Sequence, residues 1–163
     1  MNEFQIVKDL PQKKITVTRM FAAKPEAVWK AWTESELLDQ WWAPKPWKAE
    51  TKHFDFKEGG YWLYAMVGPN KERHWARVDF KKIDRPKSFE IVDAFCDEQG
   101  NTNKELPVME WKNEFFAEGD GTKVVIHISF DNEKDIKALL EMGFEQGFAA
   151  ALTNLDAYFS AAS

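Results

Sequence analysis

A proline-free run from Glu133 to Ala161 is the feature that most limits how this chain can fold. Within it Ile136, Leu140, Phe144, Gly147, Phe148, Ala151, Leu155 and Tyr158 recur at helical spacing and share one face. Asp131 or Asn132 can cap the start, and Glu133 and Asp135 fall in the first turn, where the helix dipole favours negative charge. The pattern predicts one continuous helix of about 28 residues, roughly 42 Å long, which is long for a small domain. Gly143 and Gly147 lie inside it, each costing about 1 kcal/mol relative to alanine. Packing on a sheet explains the apolar stripe. The glycines call for a further reason: a close approach by another element, or space kept for something else.

The preceding residues supply the partner surface. Lys13 to Phe21 alternates, with Ile15, Val17, Arg19 and Phe21 on one face, and reads as a strand. Pro25 suits the first position of a short helix carrying Val28, Trp29 and Trp32. Thr33-Glu34-Ser35-Glu36 has the capping-box arrangement and predicts a second short helix through Leu37, Leu38, Trp41 and Trp42. Ala43-Pro44-Lys45-Pro46 then ends helical structure. From Trp47 to Phe130 the chain alternates between apolar-patterned runs and turns such as Glu58-Gly59-Gly60 and Gly119-Asp120-Gly121. Strand parity places Phe54 with Phe56, Val78 with Phe80, Phe89 and Ile91 with Asp93 and Phe95, Trp111 with Asn113 and Phe115, and Val124 with Ile126, Ile128 and Phe130. These elements predict an α+β fold: a curved antiparallel sheet of about seven strands, a long C-terminal helix, and two short helices after the first strand. One domain spanning residues 1–163 is expected. A long helix does not seal evenly against a curved sheet. The two short helices can close one end, and a cavity is expected between.

Composition narrows the function classes. A net charge of -5 argues against general affinity for nucleic acid or an anionic membrane. No run approaches the roughly 18 apolar residues of a membrane span. Met1-Asn2-Glu3-Phe4 lacks the basic and apolar regions of a signal peptide. A single Cys96 excludes an internal disulfide framework, so a cytoplasmic protein is expected. Asp97 and Glu98 follow Cys96, and their charge disfavours a reactive thiolate. His53, His74 and His127 are far apart in sequence and form no metal-ligand spacing. No phosphate-cradling glycine loop is present, and no metal or other cofactor is expected. Aromatic content is 15%, with eight Trp and thirteen Phe, enough to fill a core or to line a large apolar cavity.

Five segments stand in a familiar order: Ile15-Thr16-Val17-Thr18-Arg19, Pro25-Glu26-Ala27-Val28-Trp29-Lys30-Ala31-Trp32-Thr33, Trp41-Trp42, Asp55-Phe56-Lys57-Glu58-Gly59-Gly60, and Gly143-Phe144 through Leu152-Thr153-Asn154-Leu155. Over roughly residues 13–160 the chain resembles the bacterial homologues of the C-terminal domain of the activator of the 90-kDa heat-shock protein ATPase. That family belongs to the helix-grip superfamily, with the steroidogenic lipid-transfer (START) domains, the birch-pollen allergen and polyketide cyclases. The resemblance implies a sheet wrapped around the long helix and an internal apolar cavity. It implies no single activity, because such folds host many functions. The chain departs from the family at Lys57-Glu58, where Arg-Pro is frequent, and at Phe144 and Phe148, where Trp is common.

Arg19, Asp93 and Asn113 are polar residues on inward faces. Buried charge is expensive unless paired, so Arg19 and Asp93 are expected either to satisfy one another or to meet the polar group of a ligand. An Asp93 isolated in an apolar pocket would instead have a raised pKa and could serve as a general acid or base. Trp41, Trp42 and Trp47 flank the proline loop and read either as packing or as a gate over a cavity mouth. Phe54, Leu63, Phe80, Phe95, Trp111, Phe144 and Phe148 are candidate cavity walls, with Gly147 leaving space beside them. Each ring alone is ordinary core. Together they make a small hydrophobic or aromatic ligand plausible. Two other readings stay open. Association with a chaperone follows from the family resemblance, although only residues 1–12 precede the first predicted strand, too few for a companion domain. A cyclase-like enzyme would need a polar group in the cavity, and Asp93 is its candidate.

Overall fold

The structure, a computed structural model, describes residues 4–162. Eight strands run β1 Phe4–Asp9, β2 Lys14–Phe21, β3 Lys48–Phe54, β4 Tyr61–Val67, β5 Arg73–Asp84, β6 Ser88–Phe95, β7 Val108–Glu118 and β8 Gly121–Phe130. They form one sheet in the order β1-β2-β8-β7-β6-β5-β4-β3, antiparallel throughout. Helices α1 Pro25–Thr33 and α2 Ser35–Trp41 follow β2, and α3 Glu133–Glu141 and α4 Phe144–Ala162 follow β8. This is the α+β helix-grip architecture.

The sheet has one strand more than the alternation predicts. β1 lies at the edge and pairs only with β2. Its inward residues, Phe4 and Ile6, are half-buried, while Val7 is 63% exposed. An edge strand shielded on one side carries a weak apolar signal. The first strand therefore begins at Phe4 among the described residues, not at Lys13.

The long C-terminal helix is two helices. Asn132 caps α3, its side chain accepting from the Asp135 N–H at 2.8 Å. The last turn closes at Met142, whose N–H reaches the Ala138 and Leu139 carbonyls, and Gly143 follows with φ +88°. This left-handed conformation ends a helix cheaply only at glycine. A Cβ on Gly143 would meet nothing within 4 Å, so backbone conformation rather than close packing accounts for this glycine.

Thr33 does not cap α2. It is the last residue of α1, and its hydroxyl donates back to the Trp29 carbonyl at 2.7 Å. Once α1 includes Thr33, its hydroxyl is taken up along its own helix. The residue before α2 is Glu34, extended and without a side-chain cap.

The inner faces predicted from parity are buried: Ile15, Val17 and Phe21 on β2, Val124, Ile126 and Ile128 on β8, and Trp111 and Phe115 on β7. From α4, Ala151, Leu152, Leu155 and Phe159 pack into the same core. α2 lies against β3 and α4, which closes one end of the sheet.

Candidate functional site

Where α3 gives way to α4, the helices do not fill the hollow of the sheet. A cavity of about 530 Å³, partly open to solvent, remains there. Three groups of residues line it. From the sheet come Tyr64 and Met66 of β4, His74, Trp75 and Ala76 of β5, Asp93 and Phe95 of β6, and Met109 of β7. Register explains much of this grouping: Tyr64 faces Ala76, Ala76 faces Phe95, Met66 faces His74, and Asp93 faces Met109. Paired residues on adjacent strands project to the same side of a sheet. From the helices come Leu139, Met142, Gly143, Phe144, Gly147 and Phe148. Trp42, Pro44 and Trp47 close the side after α2, and Leu106 comes from the β6–β7 connection.

Gly147 is the glycine that keeps space. A Cβ there would meet only Pro44 Cγ, at 3.9 Å. Phe144 and Phe148 stack one turn apart beside it, with ring centroids 5.4 Å apart.

Few polar groups reach the cavity. The Trp42 indole N–H donates to the Tyr64 hydroxyl oxygen at 2.8 Å. His74 at the rim packs against Trp47 with centroids 5.3 Å apart. Asp93 has no hydrogen bond or ion pair among the described residues. Its side chain is partly reachable through the cavity yet set among apolar walls, and burial pushes its carboxyl up to about 7. Tyr64 is held well above the ordinary phenol range by burial and then by the negative charge of Asp93, against the opposing Trp42 hydrogen bond. Cys96, just beyond Phe95, is pushed up to about 11 by burial and by Asp97, so its thiol stays protonated at neutral pH. No group of three or more His, Cys, Asp or Glu side chains among the described residues is arranged to hold a metal ion.

Of the gate and ligand candidates singled out in the sequence, Trp42, Trp47, Asp93, Phe95, Phe144, Gly147 and Phe148 come together in this lining. The others lie elsewhere. Arg19 does not meet Asp93: β8 and β7 lie between their strands, so three strand spacings, roughly 14 Å, separate the backbones. Arg19 instead forms a forked ion pair with Asp156 of α4 and donates to the Met20 carbonyl at 2.8 Å. Trp41 is fully buried, donating to the Ala31 carbonyl at 2.9 Å, and is core rather than gate. Phe54 and Phe80 meet each other, centroids 5.8 Å apart, and Phe56 in an aromatic cluster outside the cavity lining. Leu63 is displaced by parity. Its neighbours Trp62 and Tyr64 share one face, and Leu63 takes the other, near Gly100 of the β6–β7 connection. Trp111 stands behind the lining, its ring 5.6 Å from Phe148 and 6.2 Å from Phe144. Asn113 is buried between Phe89 and Ile126 on the neighbouring strands.

Sequence reasoning missed two partners. Tyr64 sits in a run apolar on both faces, where alternation has no phase to read. Asp156 lies four residues after the buried Leu152, at the edge of the α4 stripe. That helical spacing was the available signal.

The sequence model of the family described as Activator of Hsp90 ATPase homolog 1-like protein matches residues 22–160. Among solved structures, protein Ms6760 from Mycobacterium smegmatis is 27% identical, with 96% of each chain covered and a TM-score of 0.88. A protein from Arthrobacter aurescens is 29% identical, covering 96% of this chain and 91% of that one, with a TM-score of 0.90. The AHSA1 protein from Silicibacter pomeroyi, 18% identical over 92% of this chain and 99% of that one, shares the fold with a TM-score of 0.74. Comparison with curated proteins returned no match.

Proposed function

This chain belongs to the Activator of Hsp90 ATPase homolog 1-like family, and on that premise we propose that it binds a small hydrophobic or aromatic molecule between the sheet and the start of α4. The cavity carries this reading. At about 530 Å³ it lies within the range of small-molecule pockets, and its walls are mostly apolar with a few placed polar groups. Phe95, Phe144 and Phe148 offer faces and edges for an apolar body, and Gly147 leaves the depth for it. The test is titration with a neutral, polarity-sensitive dye. Binding should be saturable in the native protein and lost in Gly147→Leu, whose side chain would occupy the space. A dye that binds both forms equally would sink the reading.

One observation favours a second reading. An unpaired carboxyl near neutrality inside an apolar cavity has the properties of a general acid or base. If a bound neutral molecule is also transformed, Asp93→Asn should abolish turnover while leaving its binding intact.

A further inference from the structure

We propose that the molecule taken by the cavity is a cationic amine with an aromatic or other compact apolar body, its ammonium group seated on Asp93. This rests on the ligand-binding reading above and adds the charge and class of the ligand.

The argument begins with what faces Asp93. Among the described lining residues it is the only carboxylate, and no Lys or Arg accompanies it. The titratable neighbours are Tyr64 from β4, His74 from β5 and, just beyond the end of β6, Cys96. β7 presents Met109. α3, α4 and the segment after α2 present no titratable side chain to the cavity. Tyr64 and Cys96 are held protonated and neutral, and His74 lies at the rim against Trp47. The chain thus builds a negative group into an apolar cavity without a cation to match it. A buried unpaired carboxylate is costly, and a bound cation removes that cost.

The walls suit the same ligand. Trp42, Trp47, Tyr64, Phe95, Phe144 and Phe148 line the cavity. The electron-rich faces of such rings attract a desolvated cation, best when it is an organic ammonium. An anionic ligand would find the opposite. It would meet the Asp93 charge across the cavity. Carboxylates should therefore be rejected by repulsion. Seating an ammonium on Asp93 also favours the ionised carboxylate. Affinity for an amine should weaken as pH falls below the value of about 7 at which the empty site takes up a proton.

The experiment compares three probes sharing one indole body: tryptamine, 3-ethylindole and indole-3-propionate, titrated calorimetrically into the intact protein and into Asp93→Asn. In the native protein at about pH 8, tryptamine should bind at least about tenfold more tightly than 3-ethylindole, with the propionate weakest. In Asp93→Asn the amine preference should vanish while 3-ethylindole binds as before. Equal binding of amine and neutral probe, a preference for the propionate, an amine preference that survives Asp93→Asn, or no binding of tryptamine would each overturn the proposal. The neutral dye separates the two readings: if the dye binds and the amine shows no advantage, the cavity reading stands and the amine assignment fails.

Discussion

Trp42, at the end of α2, and Tyr64, in the middle of β4, are joined by a hydrogen bond of 2.8 Å from indole to phenol. It ties the segment after α2 to the sheet and sets the side of the cavity. Because the Tyr64 oxygen accepts from Trp42, its own proton remains available for donation.

Replacing Tyr64 by Phe should therefore act at a distance from the lost oxygen. The Trp42 N–H would be left without its partner in a largely buried place, at a cost of about 1–3 kcal/mol. Urea denaturation measures this cost, and the emission of Trp42 should shift. Unchanged stability would mean that the bond contributes nothing.

Arg19 and Asp156 give the second prediction. Asp156→Ala leaves a guanidinium 3% exposed in the core without its countercharge, at a cost near the lower end of about 3–5 kcal/mol because Asp156 is itself partly solvated. The double replacement Arg19→Met with Asp156→Leu should recover most of the loss, because no charge is then stranded. A double variant as unstable as the single one would count against this account.

The pH dependence of stability should report Asp93. Its carboxyl is raised from 3.8 to about 7 in the folded protein, so folding favours the protonated form. The contribution is fully present below the unfolded value, declines as pH rises between about 4 and 7, and is gone above that. Asp93→Asn should flatten this part of the profile and be relatively more stable above about pH 7, by up to about 4 kcal/mol. Identical profiles for the two proteins would refute the burial of this group.

The two glycines of the C-terminal run should respond in opposite directions. Gly143→Ala places a Cβ on a residue with φ +88° and should cost about 1–2 kcal/mol. Gly147→Ala meets only Pro44 at contact distance and should gain up to about 1 kcal/mol from helix propensity. Thermal melting of both variants checks the signs.

Much of the fold was legible because strand parity and helical spacing are local. Ile15, Val17, Val124, Ile126 and Ile128 were placed inward by alternation alone and are fully buried. The Asn132 cap was legible for the same reason. The break at Gly143 was not. An apolar stripe continues in phase across a short interruption, and only the positive φ separates α3 from α4. Leu63 failed because Tyr61–Val67 is apolar on both faces, so its phase is absent from the residues themselves. β1 failed because an edge strand buries too little to impose a pattern.

By itself the sequence determined the α+β class, the order of elements from β2 through β8, the inward faces of the alternating strands and the polar character of Asp93. Those properties follow from nearest neighbours along the chain and from the cost of burying charge. Tertiary structure alone decided partners. Arg19 pairs with a residue 137 positions away rather than with Asp93, because β8 and β7 come between β2 and β6. The same strand order leaves Asp93 facing a cavity without a countercharge. Which side chains meet across a sheet depends on how non-adjacent segments are laid side by side, and no local periodicity carries that information.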